Sequence, residues 1–268
     1  MRATWVIQTQ RGVLDNESGR SNMKLRILLI VLLSWGWVSS AAGQNCVVAG
    51  NPMVRFETTL GEFNVVLCSS EPSVTTTVDN FLDYVDSGAY TTTGFVHRAL
   101  TPALSGSFGI IQGGSFYIQG GSTLENVVTQ PPIPLETGFS NLRGTLAMAR
   151  TSIPDSATSG WFINTEDNLV FDPGPGQDGY AVFGQVVANG MDVVDAIVNQ
   201  QNWNFGNAFT NLPLIDFPND GSSPLPYLVY VTDVVFVPEP ALTFQLFAGA
   251  LTLVGLDRHR RRRNGPRD

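Results

Sequence analysis

Residues 95–114 read FVHRALTPALSGSFGIIQGG and hold His97, the one histidine between residues 44 and 240, with Arg98 beside it. An arginine offers a planar fork of donors that stays charged in proteins. Set next to an apolar run that ends in Gln112-Gly113-Gly114, it raises the question of which chemistry needs it there, although taken alone it reads as a surface ion-pair partner. The remaining basic side chains of this region are Arg55, Arg143 and Arg150, so four arginines face 19 aspartates and glutamates, a net charge of −15. A body so acidic repels phosphate backbones and anionic lipid. Nucleic acid is excluded as a partner, and each arginine invites a specific role.

Other chemistries lack their parts. GPGQDG at 174–179 has the glycine spacing of a dinucleotide loop. Pro175 sits inside it, however, and a strand-like run follows instead of the helix whose N-terminus takes a pyrophosphate. A serine hydrolase would have to use His97, and no G-x-S-x-G elbow accompanies it. Two cysteines and one histidine are too few for a structural zinc site, so no metal is expected.

The positioning elements are short. MVRFETT (53–59) and EFNVVLC (62–68) read as a hairpin. SVTTTVDNFLDYVDSG places Val74, Val78, Phe81, Leu82 and Val85 at helical spacing, with Ser73 as the expected N-cap and Gly88 as the stop. Strand-like pieces follow at GFVHRAL, FGIIQG, RGTLAMA, GWFINT and YAVFGQVV, then a helix at GMDVVDAIVNQ and a last strand at YLVYVTDVVFV. Many short strands with two isolated helices predict a mainly β, closed sheet rather than alternating βαβ units. Residues 199–226, rich in Asn, Pro and Gly, read as a long surface insertion whose aromatics must pack on something.

Both ends read as addresses. From Met23 a basic start (Lys24, Arg26), an apolar stretch and small residues have the layout of a signal peptide over 23–43, with a retained anchor as the alternative. Residues 1–22 are then an extension ahead of the true start. At the other end Pro238, Glu239 and Pro240 precede sixteen mostly apolar residues and an arginine-rich tail. This resembles the PEP-CTERM sorting signal, which implies an exosortase-type partner, transient anchoring in the inner membrane by the C-terminal helix, and a destination in the periplasm, envelope or extracellular matrix. In an exported chain Cys46 and Cys68 suggest one disulfide, which would stabilise by about 3 kcal/mol on chain entropy. They serve equally well as two free, small hydrophobes, and the sequence does not choose.

The run LRGTLAMARTSIPDSATSGWFIN (142–164) resembles the signature of the cyclophilin-type peptidyl-prolyl cis–trans isomerases. So do VRFETTLGEFNVVL, NFLDYVDSGAY, VHR, IIQGGSF and YAVFGQVVANGMDVVDAI, in the family's order. The resemblance runs over about residues 53–198 and the last strand. It implies a closed eight-stranded antiparallel β-barrel capped by two helices (domain 44–237), no cofactor, and proline-containing peptides and unfolded proteins as partners. Residue by residue it implies that Arg98, Gln112 and Phe162 are catalytic. His97, Ile110, Ala149, Arg150, Thr151, Val170, Phe171 and Tyr180 fall on substrate-binding positions, although His97 reads more readily as structural.

This chain departs from the family at several points. The stretch between Arg98 and Gln112 is longer. Gly109 stands where a pocket phenylalanine is expected, with Phe108 next to it able to swing in. Gly160 replaces a polar side chain. Val170 replaces the tryptophan of cyclosporin-binding members, which implies weak affinity for cyclosporin. These departures keep a second reading open, a non-catalytic proline-peptide-binding module on the same fold. A structural surface protein is a third reading, which rests on the sorting tail alone.

Overall fold

The computed structural model describes residues 46–91 and 93–238. Residues 1–22, the expected signal peptide at 23–43, and Glu239, Pro240 and the rest of the sorting tail lie outside the described residues. Pro238 is the last one described, and it is exposed. Among the described residues no helix is long and apolar enough to cross a membrane.

The first two apolar runs form the expected hairpin, β1 (Met53–Thr58) and β2 (Gly61–Leu67). A turn of 3-10 helix at Pro72–Val74 leads into α1 (Thr75–Asp86), whose inner face buries Val78, Phe81, Tyr84 and Val85. Ser73 does not cap α1, because its hydroxyl lies against Gly138. The free N–H groups of Thr76 and Thr77 donate instead to the carboxylate of Glu136, at 3.2 and 2.8 Å. A carboxylate satisfies those donors and meets the positive end of the helix dipole, and the hydrogen bonds hold its pKa below the usual value despite partial burial. At the other end Gly88 takes a positive φ of 72°, as a stop requires.

The chain continues through β3 (Gly94–Phe95), β4 (Arg98–Leu100), the one-turn helix α2 (Pro102–Ser105), β5 (Ile110–Gly113), β6 (Phe116–Gln119), β7 (Thr123–Asn126), β8 (Thr145–Met148) and β9 (Trp161–Asn164). Then come β10 (Val182–Val187), α3 (Gly190–Val198), β11 (Gln201–Trp203), β12 (Leu212–Leu214) and β13 (Tyr230–Val237). Eleven strands join in one curled sheet in the order β4-β5-β9-β8-β10-β2-β1-β13-β3-β6-β7. Each pairing is antiparallel. The order starts at β4 and reaches β3 near its far end, and in the chain only Val96 and His97 separate those two strands.

Rings pack together in the hollow of the sheet among many aliphatic side chains. Phe56 stacks on Phe63 at 4.9 Å and meets Trp161 edge-on at 5.1 Å, and Phe81 packs on Phe183 at 5.2 Å. Cys46 and Cys68 are bonded, which ties the chain ahead of β1 to the end of β2. The segment 199–226 differs from the irregular insertion expected of it. It holds its own two-stranded sheet, β11–β12, over a second apolar cluster built on Phe95, Ile118, Leu212, Leu214 and Leu228. Trp203, Phe217 and Tyr227 pack ring to ring there at 5.1 and 5.3 Å. Enough apolar surface is buried locally to give strands to a stretch whose composition reads as loop.

Candidate active site

Register brings the three expected catalytic residues together. Arg98 on β4 pairs with Gln112 on β5, and Gln112 pairs with Phe162 on β9. Directly paired residues put their side chains on the same face of a sheet, so the three form one row. Within it Arg98 Nη1 donates to Gln112 Oε1 at 3.4 Å, a long bond that aims the guanidinium without consuming its other donors. Burial pulls the Arg98 pKa down, and Tyr180 opposes that shift electrostatically. Ile110, two residues before Gln112, lies on the same face and is buried beneath the row.

Four rings continue the row. Phe162 meets Tyr180 at 5.4 Å and Phe171 at 5.7 Å, both edge-on, and Phe171 packs on Tyr180 at 5.1 Å. Phe108 packs on Phe171 at 4.8 Å. Ala149 N–H donates to Gly160 O at 2.9 Å, which continues the β8–β9 ladder past Met148. Arg150 follows with its guanidinium 4.6 Å above the Tyr180 ring, and it donates to Gly179 O at 2.9 and 2.7 Å. Arg150 thus clamps the Phe171–Tyr180 loop to the strand expected to bind peptide. Thr151 and Val170 lie exposed at the rim.

Charge is distributed unevenly. Arg55 pairs with Glu57 and Glu62, and Arg143 with Asp195. Among the described residues no carboxylate lies within ion-pairing distance of Arg98 or Arg150. In so acidic a body Arg98 therefore remains available to a ligand, whereas all three Arg150 nitrogens are spent on the carbonyls of Gly179 and Thr151.

His97 does not join the row. Successive strand residues face opposite ways, and His97 turns from the cleft into the second apolar cluster, 3% exposed. Its ring stands edge-on to Phe116 at 4.9 Å and to Phe209 at 6.5 Å. Burial first, then Arg98, lowers its pKa to about 3. Between pH 6.5 and 3 the unfolded chain therefore binds a proton that the native state refuses, so stability falls as the pH falls through that window. Urea unfolding at pH 7 and pH 4 should show a loss of a few kcal/mol, much of it removed by His97→Phe, which keeps a ring and deletes the proton site. An equal acid loss in the variant would place the effect on the carboxylates alone.

Gly109 is where sequence reasoning left the pocket open, and the structure closes it from next door. A Cβ at Gly109 would run into Thr165 Oγ1 and come within 3.0 Å of Glu166 Cγ, so no side chain fits. Its N–H donates to Asn168 Oδ1 at 2.9 Å, and its carbonyl accepts from Asn168 Nδ2 at 2.7 Å. Asn168 is held by Asn164 at 2.6 Å, and Asn164 by Thr145 and Asn141. Asn141 in turn donates to Phe171 O and Asp172 Oδ1. This buried amide chain fixes the backbone beside both Phe108 and Phe171. The sequence signal for it was present as three asparagines close to apolar strand ends, which side-chain type alone assigns to turns.

A cavity of about 720 Å³ lies elsewhere, between the end of α1 and residues 127–131, and the arginines and rings described above do not line it. An extended peptide is held along a shallow row of side chains and needs no enclosed chamber.

The curled antiparallel sheet thus carries one half-buried cation, one amide and an apolar row of rings on one face. The model of the cyclophilin-type peptidyl-prolyl cis-trans isomerase family matches residues 53–212, and the chain belongs to that family. Peptidyl-prolyl cis-trans isomerase A of Dickeya dadantii is 43% identical over 152 residues, covering 56% of this chain and 73% of its own length. Peptidyl-prolyl cis-trans isomerase B of Escherichia coli is 43% identical over 150 residues, 54% of this chain and 83% of its own. A crystal structure of a cyclophilin-type isomerase from Cryptosporidium parvum covers 71% of this chain and 99% of its own, with 21% identity and a TM-score of 0.49.

Proposed function

We propose that the protein isomerises X–Pro bonds of exported proteins, with Arg98 stabilising the twisted amide. The observation that carries this reading is the Arg98–Gln112–Phe162 row, in register across three strands and free of a neutralising carboxylate. A peptide bond resists rotation by about 18–20 kcal/mol because its nitrogen lone pair is conjugated with the carbonyl. On twisting, the prolyl nitrogen becomes pyramidal and regains that lone pair. A guanidinium held beside it donates more strongly there than to the planar ground state, which is differential binding of the transition state. Phe162, Ile110 and Phe108 hold the proline ring and exclude water, Ala149 to Thr151 receive the peptide backbone, and Gln112 aims the arginine.

In the same reading the curled sheet closes into the eight-stranded barrel through the stretch Gly94–Leu100, in which Val96 and His97 join β3 to β4. Its first half bonds to β13 and its second half to β5, which supports closure. Export rests on the signal-like segment at 23–43 and the tail from Pro238, with an exosortase-type enzyme as processing partner. The full chain should accelerate cis–trans exchange of an X–Pro peptide followed by NMR. Saturable binding without acceleration would replace this reading by the peptide-binding module, which Gly109 and the longer Arg98–Gln112 segment favour.

A further inference from the structure

The segment between Arg98 and Gln112 is ordered by its own bonds. Pro102 opens α2, and Gly106 closes it at a φ of 87°. The Ser105 hydroxyl accepts from the N–H of Ser107 and of Phe108 at 3.2 and 2.9 Å and donates to Phe108 O. Across the cleft edge, a 3-10 turn at Leu169–Phe171 ends in the ring on which Phe108 packs. Beside Phe108, Gly109 has a virtual Cβ 3.4 Å from Pro102 Cδ of α2, and its N–H and carbonyl both bond to the side chain of Asn168, the residue just ahead of the turn. Each element exposes large apolar side chains, Leu104 at 56% on α2 and Leu169 at 59% and Val170 at 50% on the turn. Leu104 lies four residues before Phe108, and Leu169 and Val170 directly precede Phe171, so the chain carries these exposed side chains beside the place where the two rings pack.

We infer that α2 and the Leu169–Phe171 turn form an apolar shelf that receives a hydrophobic side chain adjoining the client's proline. This rests on the isomerase reading and adds the substrate class to it. An exposed apolar surface continuous with a binding cleft gains by being covered when the ligand arrives. A peptide held in the cleft passes over the shelf, and its leucine, valine or phenylalanine next to the proline supplies the cover. Prolines with apolar neighbours belong to segments that a folded protein buries. The shelf therefore selects chains that have not finished folding over prolines in polar surface turns.

The test uses the full chain and X–Pro peptides that differ only in carrying Leu or Ser at one position before or after the proline. For one of the two positions the leucine peptide should show a KM about tenfold lower at similar kcat, the discrimination that one apolar contact supplies. The double variant Leu104→Ser/Leu169→Ser should bring that ratio close to one. Val128→Ser, at an exposed apolar residue far from the cleft, should leave it unchanged. Equal KM values for the leucine and serine peptides on the native chain, or a ratio that survives the double variant, overturn the shelf. If no peptide is isomerised at all, the isomerase reading fails. The leucine-to-serine ratio of peptide dissociation constants, from fluorescence titration, then decides the shelf by the same criteria. Sedimentation that finds a dimer dissolved by the double variant would make these leucines a contact between copies of the chain, and the shelf would fall.

Discussion

Arg98→Ala should lower kcat/KM for X–Pro exchange by about a hundred- to a thousandfold, the cost of removing a donor aimed at charge that develops in a transition state. The loss should fall mainly on kcat, because the planar ground state makes the weaker use of that donor. Arg98 is half-buried and, among the described residues, its guanidinium bonds to Gln112 Oε1 alone, so the melting temperature should stay close to that of the native chain. Arg98→Lys should recover little, since an ammonium has no planar fork to present to the pyramidal nitrogen and the Gln112 oxygen together. Gln112→Ala should cost less, about tenfold, because it removes the aim of the guanidinium and leaves the charge. Exchange spectroscopy on one peptide, with circular dichroism of each variant, separates these outcomes. An Arg98→Ala protein with native turnover would remove the guanidinium from the mechanism while leaving the family membership untouched.

The largest loss of stability is expected at Gly114, and it explains why the apolar run after Arg98 ends in two glycines. Gly114 has a φ of 79°, and a Cβ there would lie 2.6 Å from both Ser159 O and Trp161 Cδ1. The Ser159 carbonyl cannot yield, because it accepts the buried Tyr90 hydroxyl at 2.6 Å. Left-handed strain costs about 1–2 kcal/mol and overpacking another 1–3 kcal/mol or so. Gly114→Ala should therefore lose about 3 kcal/mol or more, close to 10 °C in melting temperature for a domain of this size. Gly121 is the control. Its φ is 76°, but nothing lies within 4 Å of its virtual Cβ, so Gly121→Ala should show the strain alone. Equal losses at the two sites would mean that Trp161 and Ser159 move aside.

At Gly113 the same physics acts through Trp161 by itself, whose Cζ2 lies 2.6 Å from the virtual Cβ. The two glycines are the space that Trp161 occupies, and Trp161 is the large side chain that follows Gly160. Trp161, next to the Gly160 at which the chain departs from the family, is thus accommodated in the core behind the Arg98–Gln112–Phe162 row.

Much of this was legible in the residues alone. Alternating β-branched runs located the β1–β2 hairpin, and helical spacing located α1 and α3, because local periodicity reports which face is buried. The order of the motifs singled out Arg98, Gln112 and Phe162 although they are far apart in the chain. Local patterning misled where a partner is distant. Ser73 looked like a helix cap until Glu136, sixty residues on, arrived at the same N–H groups. Residues 199–226 looked like loop until Phe95 and Ile118 supplied a core for them.

The amino-acid order by itself excluded classes of chemistry, since the body is too acidic for nucleic acid and lacks the spacing of a nucleotide loop or a hydrolase triad, and the joint order of the motifs then pointed to Arg98 and Gln112. Tertiary structure decided which atoms meet. It turned His97 away from the site that its neighbour Arg98 enters, because adjacent strand residues face opposite sides of a sheet. It also left residue 109 no room for a side chain and packed Phe108 on Phe171 next to it, because Asn168 and Thr165 occupy the space beside Gly109. Both outcomes depend on which strands and loops pack together, and that information is spread over residues distant in the chain.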